Sequence, residues 1–142
     1  MDVTDKNILD TLRQNARIPL SALARVVGHS RSTVQDRINR LEARGIIAGY
    51  TVRFGTDTEA RMIRAQVMLK IEPRVQDAVV AFCRRQKAIT GLYTISGEYD
   101  IAANIRAEST GALDEILDEM GRIKGVERTQ TSVVLSTKFE RS

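Results

Sequence analysis

The sequence predicts an α+β protein of two domains, and three features of its 142 residues predict it. A helix-turn-helix pattern occupies the N-terminal third of the chain. A polar stretch with one glycine follows at residues 55–61 and is typical of a hinge. After the hinge, strand and helix patterns alternate in the order βαββαβ. We therefore expect a winged helix-turn-helix domain over residues 1–54 and a ferredoxin-like domain over residues 62–142.

The helix-turn-helix pattern lies between residues 20 and 45. Apolar residues form one stripe on each of its two helices, Leu23, Ala24 and Val27 on the first and Val34, Ile38 and Leu41 on the second. Gly28 can adopt the left-handed conformation that ends a helix. Ser30 is a residue type that caps the next one. The spacing predicts two packed helices, the second running to Arg44 and ending at Gly45.

The polar face of the second helix predicts a DNA contact. Arginine and glutamine can bind base edges with paired hydrogen bonds, and serine and threonine reach bases or phosphates. Residues 16–54 contain seven arginines and two acidic residues, a net charge of +5 in a chain of net charge +4. An arginine-rich helix face is commonly only a solvated face, but the cap, the glycine turn and the small alanine at this spacing favour double-stranded DNA. The predicted DNA-binding residues are Ser30, Arg31, Ser32, Thr33, Gln35, Arg37 and Arg40.

Two further elements complete the predicted N-terminal domain. A helix over residues 5–14 carries an apolar stripe and can be capped by Asp2 or Thr4. Residues 46–54 are predicted to form a β-hairpin or an extended wing that turns at Ala48-Gly49.

The C-terminal domain is predicted to be a sheet with both helices on one face. Its elements are a strand over 62–71, a helix beginning at Pro73, strands over 91–96 and 99–106, a helix capped by Ser109 or Thr110, and a strand over 126–138. The helix-free face would carry a mixed rather than charged set of side chains, among them Met68, Tyr93 or Leu92, Ala102, Asn104 and Val134. Such a face is normally covered, so we expect a homodimer.

Composition excludes several other classes of protein. One cysteine and one histidine exclude a disulfide framework and a multi-ligand Cys/His metal site. The sequence has no signal peptide and no apolar run long enough to cross a membrane, which predicts a cytoplasmic protein. His29 is interpreted as a capping or surface residue, and Cys83 as a small core residue. Acidic residues that cluster on one helix are interpreted as a solvated face: Asp114, Glu115, Asp118 and Glu119. No nucleophile–base pair supports an enzyme.

The chain resembles the Lrp/AsnC family of transcriptional regulators over nearly its whole length. The resemblance rests on three motifs: Asp5-x-x-Ile8-Leu9, the stretch from Leu23-Ala24 through Gly28-x-Ser30 and Arg37-Ile38 to Gly49-Tyr50, and Gly97-Glu98-Tyr99-Asp100. It implies a sequence-specific DNA-binding regulator without a cofactor. Its dimers would assemble further, often to octamers, and an effector, usually an amino acid, would bind between dimers.

The resemblance also implies an effector site at one turn of the C-terminal domain. The residues concerned are Ser96, Gly97, Glu98, Tyr99 and Asp100. Without the resemblance, Gly97 and Asp100 favour a different interpretation, a hairpin turn in which a carboxylate has a capping role. A second functional hypothesis is a DNA-organising protein whose C-terminal domain only oligomerises and binds no effector.

Overall fold

The structure, a computed structural model, describes residues 1–141. The chain forms two compact units, one built on residues 1–53 and the other on residues 54–140. Within the described residues, no helix is both long and apolar enough to cross a membrane.

The first unit consists of three helices packed around one core. They are α1 (Val3–Gln14), α2 (Leu20–Val27) and α3 (Arg31–Ala43). The apolar stripes predicted from sequence meet in this core, which contains Ile8, Leu23, Ala24, Val34, Ile38 and Leu41. Asp2 is the residue that caps α1, because its Oδ1 accepts a hydrogen bond from the backbone N–H of Asp5 at 2.9 Å.

The turn between α2 and α3 has the predicted geometry. Gly28 adopts a left-handed conformation with φ of 75°, and its N–H and that of His29 both donate to the carbonyl of Ala24. Ser30 caps α3 by accepting a hydrogen bond from the N–H of Thr33 at 3.2 Å. These local interactions fix where α3 begins.

The hairpin form of the predicted wing is wrong, because residues 46–55 contain no strand. The N–H groups of Ile46 and Ile47 both donate to the carbonyl of Leu41 and so complete the end of α3. A hairpin turning at Ala48-Gly49 would need one of these donors for its first arm, because alternate residues of an antiparallel strand donate to its partner. The segment therefore has no regular secondary structure, and Ile47 packs against the helical core.

The second unit is a four-stranded antiparallel sheet with two long helices. Its elements are α4 (Thr56–Ala60), β1 (Ile63–Ile71), α5 (Gln76–Arg85) preceded by a 3-10 turn (Pro73–Val75), β2 (Ile89–Thr94), β3 (Ile101–Ala107), α6 (Thr110–Arg122) and β4 (Val126–Val133). The strand order is β2-β3-β1-β4. The predicted ferredoxin-like βαββαβ arrangement is thus confirmed.

Helices α5 and α6 cover one face of the sheet. Alternate residues of β1 and β3 are buried with Val79 and Cys83 of α5 and with Leu113 and Met120 of α6. Cys83 is therefore a core residue, as the sequence indicates. Ser109 caps α6 by accepting a hydrogen bond from the N–H of Ala112 at 3.0 Å.

Several predicted boundaries need correction. Strand β2 spans Ile89–Thr94 rather than 91–96, and β3 begins at Ile101 rather than at residue 99. The hinge contains the short helix α4, in which the N–H groups of Thr58 and Glu59 donate to the carbonyl of Gly55. Glu59 also pairs with Arg106 at 2.6 Å. Strand β4 ends at Val133 rather than Lys138. Its last pairings use Ala65 and the carbonyl of Arg64, where β1 itself begins. Beyond that point β4 has no backbone partner on β1.

The helix-free face of the sheet is more charged than the sequence suggested. Met68, Ala102 and Tyr93 lie on it, whereas Leu92 faces the helices opposite the buried Ala103. Four basic residues of the strands also lie on this face, and each forms an ion pair. The pairs are Arg64 with Glu140, Lys70 with Asp100, Arg106 with Glu59 and Arg128 with Glu98.

Candidate nucleic-acid interface and effector turn

Helix α3 exposes a polar face beside its buried apolar stripe. Arg31, Ser32, Gln35 and Arg40 are exposed, whereas Thr33 and Arg37 are partly buried. The Gln35 side-chain amide donates to Oδ1 of Asn39 at 2.7 Å, one turn along the helix. This hydrogen bond orients Gln35 on the exposed face, where paired hydrogen bonds to a base edge are possible.

The first turn of α3 uses its hydroxyl groups internally. Ser30 Oγ donates to Thr33 Oγ1 at 2.8 Å and also lies 3.2 Å from Ser32 Oγ. The exposed hydroxyls of Ser30 and Ser32 are therefore held close to the helix N-terminus, a position that suits contacts to phosphate oxygens. Thr33 serves mainly to fix the cap.

The guanidinium of Arg37 forms ion pairs with two acidic residues at the start of α1. Its Nη1 lies 2.6 Å from Oδ2 of Asp2 and 3.1 Å from Oδ1 of Asp5. The hydrogen bond that Arg37 donates holds the pKa of Asp2 below its ordinary value of 3.8, and donating to Asp2 and Asp5 raises the pKa of Arg37. The sequence patterns that predicted α1 and α3 did not show this pairing.

His29 lies in the turn and connects it to α1. Its Nε2 is 3.1 Å from Oγ1 of Thr4, and the residue is exposed. This contact fits the surface interpretation of His29.

The predicted effector residues form the turn between β2 and β3. The N–H of Ile95 donates to the carbonyl of Asp100 at 3.0 Å and closes the turn. Gly97 has φ of 124°, a conformation that side chains of L-residues rarely adopt. Ser96, Gly97 and Glu98 are exposed, so their backbone groups are open to a ligand.

Asp100 has the capping role that the residues alone favoured. Its Oδ2 accepts a hydrogen bond from the backbone N–H of Ile71 at 2.9 Å and lies 3.6 Å from Nζ of Lys70. Its own N–H donates to the carbonyl of Leu69 at 2.9 Å. Asp100 therefore fastens the turn to the end of β1.

Two residues of β4 that the sequence analysis did not single out adjoin the turn. Tyr99 donates its hydroxyl hydrogen to Oε1 of Gln130 at 2.9 Å. The Arg128 guanidinium lies 5.1 Å from the centre of the Tyr99 ring and 2.6 Å from Oε1 of Glu98. Only the register of β4 on β1 shows this proximity, since the residues lie about thirty positions apart in sequence.

The turn lies at the surface, apart from a cavity of the same unit. A cavity of about 310 Å³ lies between α5 and β2 and is lined by residues that include Cys83, Gly91 and Tyr93, but by none of the five turn residues. A ligand on the turn would therefore need additional walls.

The two units together define the class of the protein: a helix-turn-helix DNA-binding unit with a separate ferredoxin-like unit. Two family models match the chain, one for a winged helix-turn-helix DNA-binding domain over residues 1–48 and one for the Lrp/AsnC ligand binding domain over residues 64–142. The chain therefore belongs to the Lrp/AsnC family of transcriptional regulators, which are not enzymes.

Individual relatives agree with this assignment. The HTH-type transcriptional regulator LysM of Saccharolobus solfataricus is 30% identical over 142 residues, which cover 98% of this chain and 96% of that protein. The HTH-type transcriptional regulator FL11 of Pyrococcus furiosus is 29% identical over 140 residues, or 99% of this chain and 93% of that protein.

Solved structures share the fold over the whole chain. The complex of the regulator NMB0573 with L-Met, from Neisseria meningitidis, has a TM-score of 0.91 at 23% identity and covers 100% of this chain and 94% of that one. The leucine response regulatory protein of Mycobacterium tuberculosis has a TM-score of 0.79 at 28% identity, with coverage of 100% and 97%.

Proposed function

We propose that α3 enters the major groove of operator DNA and reads bases through Arg31 and Gln35, with Ser32 and Arg40 on the phosphates. The observation that carries the proposal is the position of these side chains, exposed on a helix whose opposite face is fixed in the core by Val34. Ser30 and Thr33 hold the first turn of α3 in place for these contacts.

We further propose that a free amino acid binds beside the turn of residues 96–100 and changes DNA binding. The exposed backbone at Gly97 lets N–H groups approach the ligand's carboxylate. Oδ2 of Asp100 is taken by Ile71 and Lys70, while Oδ1 has no hydrogen bond within the described chain and can accept one from an α-ammonium group.

Three observations support an effector at this position. The family model that matches residues 64–142 is a ligand-binding domain, and a protein of the same fold has been solved with L-Met. The turn is open in the single chain, so the remaining walls come from further copies. We therefore propose a cytoplasmic homodimer that assembles further, with an octamer as the expected size and the effector between dimers.

Selection of DNA from a random pool tests the contribution of α3. The full chain should enrich one sequence, and Gln35→Ala should lose preference at a base position, with a loss of discrimination of about 1–3 kcal/mol. Arg85→Ala is the matched control, because Arg85 is exposed on α5 in the other unit. A Gln35→Ala variant that enriches the wild-type sequence unchanged would remove Gln35 from the readout.

Binding calorimetry with the twenty amino acids tests the effector site. At least one should bind the wild-type chain, and Asp100→Asn should weaken it, because the amide keeps an oxygen for the N–H of Ile71 but loses the charge. Asp114→Asn removes an exposed carboxylate from α6 and should bind as the wild type does. If no amino acid binds, the DNA-organising alternative becomes the better account.

A further inference from the structure

We propose that Arg37 is a positioning residue and not a DNA contact: it fastens the start of α1 to the recognition helix α3. Under this proposal Arg37 is no longer one of the residues predicted from the polar face of α3 to bind DNA. The inference rests on the contacts of Arg37 within the helical unit and does not depend on an effector.

The surroundings of Arg37 are already acidic. One nitrogen of its guanidinium contacts two carboxylates, that of Asp2 at 2.6 Å and that of Asp5 at 3.1 Å. The Arg37 side chain is 22% exposed and that of Asp5 is 16% exposed. Both contacts use Nη1, so a DNA phosphate that approached the remaining nitrogens would lie close to both carboxylates, and two negative charges would oppose it.

Asp2 performs two functions with one carboxylate. Its Oδ1 accepts the N–H of Asp5 and begins α1, while its Oδ2 accepts a hydrogen bond from Arg37 of α3. The first turn of α1 and the middle of α3 are thereby held together across 35 positions of sequence. Because Arg37 lies two positions after Gln35, this connection also fixes how the exposed face of α3 is presented.

Arg40 provides a matched comparison on the same helix. It is exposed, and its side chain makes no hydrogen bond or ion pair with the part of the chain that the structure describes. Replacing either arginine by glutamine removes the same charge from α3. Arg40→Gln removes a guanidinium that is available to DNA, whereas Arg37→Gln removes one that is paired with Asp2 and Asp5.

The salt dependence of DNA binding distinguishes the two roles. Affinity of the full chain for a mixed-sequence duplex is measured over a series of salt concentrations. A plot of log K against log salt has a negative slope, and each lost phosphate contact reduces the magnitude of that slope by about 0.9. We expect Arg40→Gln to reduce the magnitude by about that amount per bound subunit and Arg37→Gln to leave it unchanged.

Amide hydrogen exchange measures the positioning role directly. Exchange over residues 3–8 should become faster in Arg37→Gln and stay at the wild-type rate in Arg40→Gln. Asp2→Asn and Asp5→Asn should also accelerate it, and they keep the test available if Arg37→Gln does not fold. The proposal would be overturned if Arg37→Gln reduced the magnitude of the salt slope as much as Arg40→Gln does. It would also be overturned if amide exchange over residues 3–8 stayed at the wild-type rate in Arg37→Gln, Asp2→Asn and Asp5→Asn.

Discussion

The carboxylate of Asp100 accepts a hydrogen bond from the backbone N–H of Ile71 at 2.9 Å, and this contact joins the turn after β2 to the end of β1. Ile71 is a buried residue, and its hydrogen bond to Asp100 is partly buried. The same carboxylate is also the group proposed to accept the effector's ammonium. Asp100 is therefore proposed to have both a structural role and a binding role, and substitution by alanine or by asparagine distinguishes the two.

Substitution of Asp100 should separate stability from charge. Asp100→Ala removes the carboxylate that accepts the partly buried N–H of Ile71, and we expect a loss of about 1–3 kcal/mol in the free energy of unfolding. Asp100→Asn should lose less, because its amide oxygen can still accept the hydrogen bond. Urea denaturation measures both values. Equal losses in the two variants would show that the charge, and not the hydrogen bond, stabilises the turn.

The helical unit should depend strongly on Ile8. This side chain is fully buried between the three helices, so Ile8→Ala should cost about 2–5 kcal/mol. Val26→Ala is the control: Val26 is 64% exposed on α2, and its truncation should change stability by less than about 0.5 kcal/mol. Scanning calorimetry on the full chain makes the comparison, and similar effects from both variants would contradict the assigned core.

The pairing of Asp2 with Arg37 should appear as a pH dependence. The folded-state pKa of Asp2 lies below its ordinary value of 3.8, so the pair stabilises the fold above pH 3.8 and loses this effect as the pH falls through the folded-state pKa. Thermal unfolding of the wild type should therefore become more acid-sensitive below pH 3.8 than that of Asp2→Asn. Identical pH profiles would mean that the ion pair does not form in solution.

Cys83 should be unreactive in the folded protein. Burial raises the pKa of its thiol above the ordinary value of 9.0, and the side chain lies in the core between α5 and the sheet. A thiol reagent at neutral pH should modify the chain slowly under native conditions and at the rate of a free thiol in denaturant. Rapid native modification would show that this core opens readily.

Features that depend on neighbouring residues were predictable from sequence. The caps Asp2, Ser30 and Ser109 each accept a hydrogen bond from an N–H three residues later, so a short motif contains both partners. The order of strands and helices follows from periodicity in the same way. The fold class and the βαββαβ order of the second unit were therefore predicted correctly.

Features that depend on distant partners were not predictable. The length of β4 depends on where β1 begins. The predicted hairpin does not form because the carbonyl of Leu41 accepts the N–H groups of Ile46 and Ile47, one of which its first arm required. Arg37 has the position of a DNA contact on α3, and only the packing of α1 places Asp2 against it. At the effector turn, Arg128 is brought to Tyr99 by strand register.

We propose that an amino acid bound at the turn of residues 96–100 changes how α3 binds DNA. The most direct test is the affinity of the full chain for its selected duplex at fixed salt, with and without each amino acid, for the wild type and Asp100→Asn. We expect at least one amino acid to change the wild-type affinity by about 5- to 150-fold and to have little effect on Asp100→Asn. An affinity that no amino acid alters, or an equal response in both proteins, would contradict the account.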